Sequence, residues 1–172
     1  IGADATGVSQ LANTQANLGL GDDYIQALGI ASASASTVRG NEGNDEIRFA
    51  SHTGFGNTLK DVRLNGNAGA DEIQFQWSGT ELAGFGVLGG ADADTVSATF
   101  VSNISAFASA DNTFTGAKIG GNKGDDVINA NVLGTSDQVR VNGNSGSDTL
   151  VVTGDADNVR VAVAGGKGTD DV

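Results

Sequence analysis

The chain repeats seven times, with small changes, the pattern seen in Gly40-Asn41-Glu42-Gly43-Asn44-Asp45-Glu46-Ile47. In each copy a Gly or its replacement is followed five residues later by Asp, and two residues after that by Ile, Val or Leu. The repeated aspartates are Asp23, Asp45, Asp71, Asp94, Asp126, Asp148 and Asp170. Their spacings of 22, 26, 23, 32, 22 and 22 residues indicate a basic period of 22 with insertions. A fixed period of this length is typical of stacked structural repeats.

The copies differ in quality. Five copies have both glycines, the Asp and the aliphatic residue: 40–47, 66–73, 121–128, 143–150 and 165–172. The copy at 18–25 has Leu18 in place of the first Gly, and the copy at 89–96 has Asp92 in place of the second. We therefore expect ion sites beside these two turns to be less occupied than those beside the other turns.

Apolar residues alternate with polar ones on both sides of each copy, which is typical of a strand with one buried face. The column two residues before the pattern is Ala16, Val38, Leu64, Val87, Ile119, Val141 and Val163. The column that ends the pattern is Ile25, Ile47, Ile73, Val96, Ile128, Leu150 and Val172. The sequence predicts an all-β fold, a parallel β-roll or β-solenoid of about seven rungs and two facing parallel sheets. Residues 18–172 form the repeats, and residues 1–17 an N-terminal cap or a preceding rung.

The composition restricts the partners. The chain has 27 Gly, no Pro, no Met and no Cys, and 21 acidic residues stand against 9 basic ones for a formal charge of −12. This excess repels the phosphates of nucleic acid and anionic lipid, so we expect no nucleic-acid partner and no membrane insertion.

The turn pattern resembles the hemolysin-type calcium-binding (RTX) repeat, Gly-Gly-x-Gly-x-Asp-x-aliphatic-x, which forms a parallel β-roll. The resemblance implies Ca²⁺ ions held between successive turns along one edge by turn carbonyls and the Asp carboxylates. The implied carboxylates are Asp23, Asp45, Asp71, Asp94, Asp126, Asp148 and Asp170. The implied turn residues are Gly40, Asn41, Gly43, Gly66, Asn67, Gly69, Gly89, Asp92, Gly121, Asn122, Gly124, Gly143, Asn144, Gly146, Gly165 and Gly168.

Two interpretations of the turns stay open. Ca²⁺ takes six to eight oxygen ligands, and a Gly-rich turn can present backbone carbonyls to it. Asn in the second position suits a left-handed backbone. Alternatively, the Asp side chains accept backbone N–H bonds and the Asn side chains form ladders, without metal.

Two rungs carry extra residues, around 51–60 and 101–116. Both insertions should leave the edge opposite the calcium turns, where solenoids often bind partners. The alternative that we prefer is that their phenylalanines, Phe55, Phe107 and Phe114, fold back to cover their own rung. The only His, His52, stands beside Ser51 in the first of them, and we expect no catalytic site.

The sequence thus favours a calcium-binding structural module of a secreted or cell-surface protein, such as an adhesin, surface layer or extracellular filament. Its expected partners are calcium ions and further repeats or copies of itself stacked end to end. One alternative is an RTX export and folding module of a secreted enzyme. A remote alternative is an ice-binding solenoid, which the mixed outward column Thr37, Arg63, Gly86, Lys118, Arg140 and Ala162 does not favour.

Overall fold

The computed structural model describes residues 2–6, 10–52, 57–79, 81–102, 113–115, 117–133, 136–154 and 159–172. All regular elements in these ranges are strands, and all their pairings are parallel. The strands form a β-solenoid of about six turns with a period of about 23 residues. The predicted fold class is therefore confirmed. No helix in the described ranges is long and apolar enough to cross a membrane.

Two sheets face each other across the core. The first sheet contains, in spatial order, β1 (Gly2–Thr6), β4 (Tyr24–Ile30), β6 (Glu46–Ser51), β8 (Glu72–Gly79), β11 (Thr95–Ser102), β14 (Val127–Leu133) and β16 (Thr149–Gly154). The long strands of the second sheet are β3 (Gln15–Leu20), β5 (Ser32–Glu42), β7 (Thr58–Ala68), β10 (Gly86–Ala91), β13 (Ala117–Lys123), β15 (Ser136–Ser145) and β17 (Val159–Lys167). Its short strands are β2 (Gln10–Ala12), β9 (Glu81–Ala83) and β12 (Thr113–Thr115).

Equivalent residues of successive rungs are paired, so each apolar column lies in register. Ile47 pairs with Ile73 in the first sheet, and Leu64 pairs with Val87 in the second. All four side chains are buried. The last rung is the exception, because Val163 is 37% exposed and Val172 is 68% exposed. No described strand pairs with the outer edge of β17, so nothing in the described chain covers this end of the apolar columns.

Aromatic rings fill the middle of the core. Phe75 stacks on Phe85 with ring centroids 4.0 Å apart, and Phe49 and Phe100 pack at 5.9 and 5.2 Å from Phe75. Trp77 is also fully buried. The largest buried side chains of the core thus lie in the central rungs.

A second corner, which the repeat pattern did not reveal, lies five residues before the turn. Its residues have positive φ angles in four successive rungs: 52° at Asn13, 46° at Ala35, 52° at Asp61 and 64° at Gly84. Beyond this corner, residues 10–12, 32–34, 58–60 and 81–83 pair as a short additional row.

This row corrects the expectation that the first insertion protrudes. Leu59 and Asn57 are buried, and Thr58–Lys60 of β7 pairs with Ser32–Ser34 of β5. The apolar Leu59 lies between Ala33 and Leu82, so burial of this column favours the folded-back path. Phe114 pairs opposite Leu82 in β9. Phe55, Phe107 and most of the 101–116 insertion lie outside the described residues.

The corner yields a first prediction. Ala35 is exposed and carries a Cβ at a φ of 46°, where a side chain costs about 1 kcal/mol relative to Gly. We expect Ala35→Gly to raise the free energy of unfolding by up to about 1 kcal/mol in urea titrations. The control Ala162→Gly, on an exposed position of β17, should lower it by about 0.5–1 kcal/mol. A loss of stability in Ala35→Gly would contradict the assigned corner.

Candidate cation-binding turn edge

The repeated aspartates connect each turn to the one before it. In every case the Asp Oδ1 atom accepts a hydrogen bond from the backbone N–H of the Asp in the preceding rung. The six bonds measure 2.7–3.1 Å and run from Asp23, Asp45, Asp71, Asp94, Asp126 and Asp148 to Asp45, Asp71, Asp94, Asp126, Asp148 and Asp170. The hydrogen bonds of the second interpretation are therefore present in the turns.

Other groups of the turn bond in the same repeating way. The N–H that follows each Asp donates to the carbonyl of the Asp one rung back, as from Glu72 to Asp45 at 2.8 Å. The N–H in the fourth position donates one rung forward, as from Gly43 to the carbonyl of Ala68 at 2.9 Å. The fifth N–H donates to a side chain one rung back, as from Asn44 to Asp22 at 2.8 Å. These turn donors are thus satisfied between rungs.

The second carboxylate oxygen has no such partner in five rungs. These five side chains are at most 2% exposed, and their Oδ2 atoms make no hydrogen bond in the described structure: Asp45, Asp71, Asp94, Asp126 and Asp148. A buried acceptor without a donor costs about 1–3 kcal/mol, and more if it is charged. The turn edge therefore contains a row of buried oxygens that a proton or a cation would stabilise.

Each unpaired oxygen lies against the first glycine of its own turn. A Cβ added to Gly66 would lie 2.0 Å from Asp71 Oδ2 and 2.5 Å from the carbonyl oxygen of Gly89 in the next rung. The same two kinds of oxygen flank Gly40 and Gly143. The first glycine is therefore needed for space, since its φ is not positive.

The second and fourth turn positions need a left-handed backbone instead. The second-position asparagines have φ of 85°, 80°, 86° and 78° at Asn41, Asn67, Asn122 and Asn144. This confirms the role predicted for Asn. At the fourth position Asp92 takes a φ of 79° where the other rungs have Gly. The asparagine side chains also hydrogen-bond between rungs. Asn67 Nδ2 donates to Asn41 Oδ1 at 3.5 Å, and Asn144 Nδ2 donates to Asn122 Oδ1 at 3.4 Å.

The fourth glycine also permits close stacking. A Cβ on Gly69 would lie 2.1 Å from the carbonyl oxygen of Gly43, and one on Gly146 would lie 1.8 Å from that of Gly124. Gly168 meets the carbonyl of Gly146 in the same way. These contacts leave no room for a side chain at Gly69, Gly146 or Gly168.

Burial changes the acidity of this row. It raises the pKa of Asp71 to about 6, that of Asp94 to about 7 and that of Asp126 to about 6. The pKa of Asp45 is also raised, again by burial. The N–H bond to Oδ1 opposes the shift, and neighbouring carboxylates add to it.

The structure brings the predicted site residues together on one edge, rung by rung. The described residues contain no cluster of three or more His, Cys, Asp or Glu side chains that could hold a metal. A cation here would thus be bound by single carboxylates and by carbonyls, which are the hard oxygen ligands that Ca²⁺ takes. Asp45, Asp71 and Asp148 would supply Oδ2, and Gly66, Gly89 and Gly165 would supply carbonyls.

The end copies differ from the central ones. Leu18 occupies the position of the first glycine beside Asp23, and Asp170 is only partly buried. Gly165 still accommodates Asp170, because an added Cβ would lie 2.4 Å from its Oδ2. His52 is exposed and lies at the end of β6, away from the turn edge.

No family model, no curated protein and no solved structure matches this chain.

The spatial role of the first glycine gives a second prediction. Gly66→Ala should lower the free energy of unfolding by about 2–3 kcal/mol, because its Cβ would overlap the Asp71 carboxylate. Gly86→Ala is the matched control, since an added Cβ there meets nothing within 4 Å. It should be neutral or stabilising in the same urea titration. Equal effects of the two substitutions would refute the role of the turn glycine.

The raised pKa values give a third prediction. In calcium-free buffer the folded chain binds protons at Asp71, Asp94 and Asp126 more tightly than the unfolded chain, whose carboxyls titrate near 3.8. The free energy of unfolding should therefore fall as the pH rises from about 4 to 7. Urea midpoints measured with chelator at several pH values test this, and Asp94→Asn should flatten the slope. A midpoint that rises with pH would contradict the prediction.

Proposed function

We propose that this chain is a calcium-stabilised structural module of a secreted or cell-surface protein. The observation that supports it is the row of five buried carboxylate oxygens, each without a hydrogen-bond donor, along one edge of the solenoid. A stack of negative charges at the rung spacing of about 4.8 Å is destabilising unless protons or cations lie within it. The RTX resemblance of the turns points to calcium as that cation.

The proposed role of calcium is to stabilise the folded turns above neutral pH. A bound divalent cation supplies positive charge to a low-dielectric edge where the carboxylates must otherwise take up protons. The chain's own residues position the oxygens: Oδ1 is fixed by the N–H of the preceding rung, so Oδ2 faces the gap beside the first glycine. Calcium and protons therefore compete for the same oxygens.

A scaffold role follows from the same geometry. The interlocked rungs form one continuous core, which suits a load-bearing or spacing element. An extracellular location fits because Ca²⁺ sites in extracellular modules have dissociation constants on the order of 0.1–1 mM. We propose further repeats or copies stacked end to end as its partners.

The fourth prediction tests calcium directly. At pH 8, adding calcium to chelator-treated protein should raise the melting temperature once its concentration exceeds a dissociation constant on the order of 0.1–1 mM. Because the ion must bind the folded form, the gain should grow with the logarithm of its concentration. Magnesium at the same ionic strength is the control. A melting temperature that is insensitive to calcium would refute the proposal.

A pair of variants locates the effect. Asp71→Asn keeps an Oδ1 acceptor for Asp45 but replaces the charged Oδ2 by an amide, so the fold should persist while the calcium response weakens. Asp61→Asn removes an exposed carboxylate at the second corner, away from the turn edge, and should leave the response unchanged. Equal calcium responses in both variants would place binding elsewhere.

A further inference from the structure

Basic side chains collect on the outer face of the second sheet, although the chain is strongly acidic. Arg63, Lys118 and Arg140 are exposed, and Arg39 is half-buried. Register places three of them in one column: Gly86 pairs with both Arg63 and Lys118, and Lys118 pairs with Arg140. Arg39 lies in the next column, where it pairs with Asn65. The face thus presents a basic row along the solenoid axis.

No ion pair is described for this basic row, although Asp61 lies in the same groove. Lys60 pairs with Glu81 at 2.9 Å and Arg48 pairs with Glu46, but Arg39, Arg63, Lys118 and Arg140 make no described ion pair. Like charges directly opposite in a sheet are destabilising. The fold alone gives no reason for Lys118 to stand beside Arg140.

A gap interrupts the row at Gly86. An added Cβ on Gly86 meets nothing within 4 Å, and its φ is not positive, so neither space nor backbone conformation requires glycine. The missing side chain opens a groove of about 340 Å³. Arg39, Arg63 and Lys118 line it together with Asn65, Leu88 and Asp61.

We propose that this groove binds a small ligand that carries two carboxylates joined by an apolar spacer. One carboxylate would bind Arg39 and Arg63, whose planar guanidinium groups match it in two-point hydrogen bonds. The other would bind Lys118, two rungs away, with backbones roughly 10 Å apart. Leu88, which is 37% exposed, offers the spacer an apolar contact between the two poles.

The remaining polar groups refine this class of ligand. Asn65 is half-buried, and its side-chain amide donates to Asn67 Oδ1, so it lines the groove without a proposed contact to the ligand. The Asp61 carboxylate lies close to Gly84, where an added Cβ would meet its Oδ1 at 2.3 Å. Because it shares the groove, it repels anions and limits affinity. Asp61→Asn should therefore strengthen binding of a dicarboxylate.

The test is isothermal titration of the folded, calcium-containing protein with glutarate, and with butyrate as the single-carboxylate control. We expect glutarate to bind at least about tenfold more tightly than butyrate, because only glutarate engages both poles. Arg63→Gln and Lys118→Gln should each weaken glutarate about tenfold. Arg140→Gln is the matched charge control, since Arg140 belongs to the basic row but does not line the groove, and should have little effect.

Gly86→Val separates the groove from its charge. It fills the gap with a strand-favouring side chain and leaves every cation in place, so it should abolish glutarate binding without loss of stability. Glutarate binding that survives Gly86→Val would overturn the proposal, as would equal affinity for butyrate. Duplex DNA binding that depends on Arg63 in the same way would also overturn it, since it would show a general polyanion surface. A missing calcium response would leave these outcomes unaffected, because none of the groove residues supplies a proposed calcium ligand.

Discussion

The hydrogen bond from the N–H of one turn aspartate to the Oδ1 of the next is the interaction on which the rest depends. It favours one register for each turn, since a slip by one residue would move the carboxylate away from the N–H that it accepts from. It also dictates the neighbouring residues. With Oδ1 held, Oδ2 must lie over the first glycine, so Gly66 cannot carry a Cβ beside Asp71. One bond thus explains the spacing of five residues from Gly to Asp.

The same bond creates the electrostatic problem of the fold. Each carboxylate is drawn into a buried position by one backbone donor, which does not offset the full cost of burying its charge. The raised pKa values of Asp71, Asp94 and Asp126 express that imbalance. A neutral amide would avoid it, yet all seven copies keep Asp. This retention of a charged side chain in every copy is the physical basis for proposing a cation.

Much of the turn could be predicted from the sequence, because its constraints are local. Asn41 and Asn67 stand where φ is positive, and residue type alone indicates this. The second corner could not be predicted in the same way. Asn13, Asp61 and Gly84 tolerate positive φ, but Ala35 breaks the signal in the same column. The path of residues 57–60 depends on burying Leu59 between Ala33 and Leu82, a contact between rungs that no local pattern contains.

Two glycines in neighbouring rungs show how structural and functional constraints can be separated in a solenoid. Gly66 is explained completely by the carboxylate that lies against it. Gly86 lies in an open strand position where a β-branched residue would favour the sheet, and it costs stability through its greater freedom in the unfolded chain. The cations on either side of it, Arg63 and Lys118, make no ion pair within the described part of the chain and repel one another. Packing of the sheet favours a side chain at Gly86, and the charges of Arg63 and Lys118 favour a partner of opposite sign. A bound anionic ligand accounts for both features.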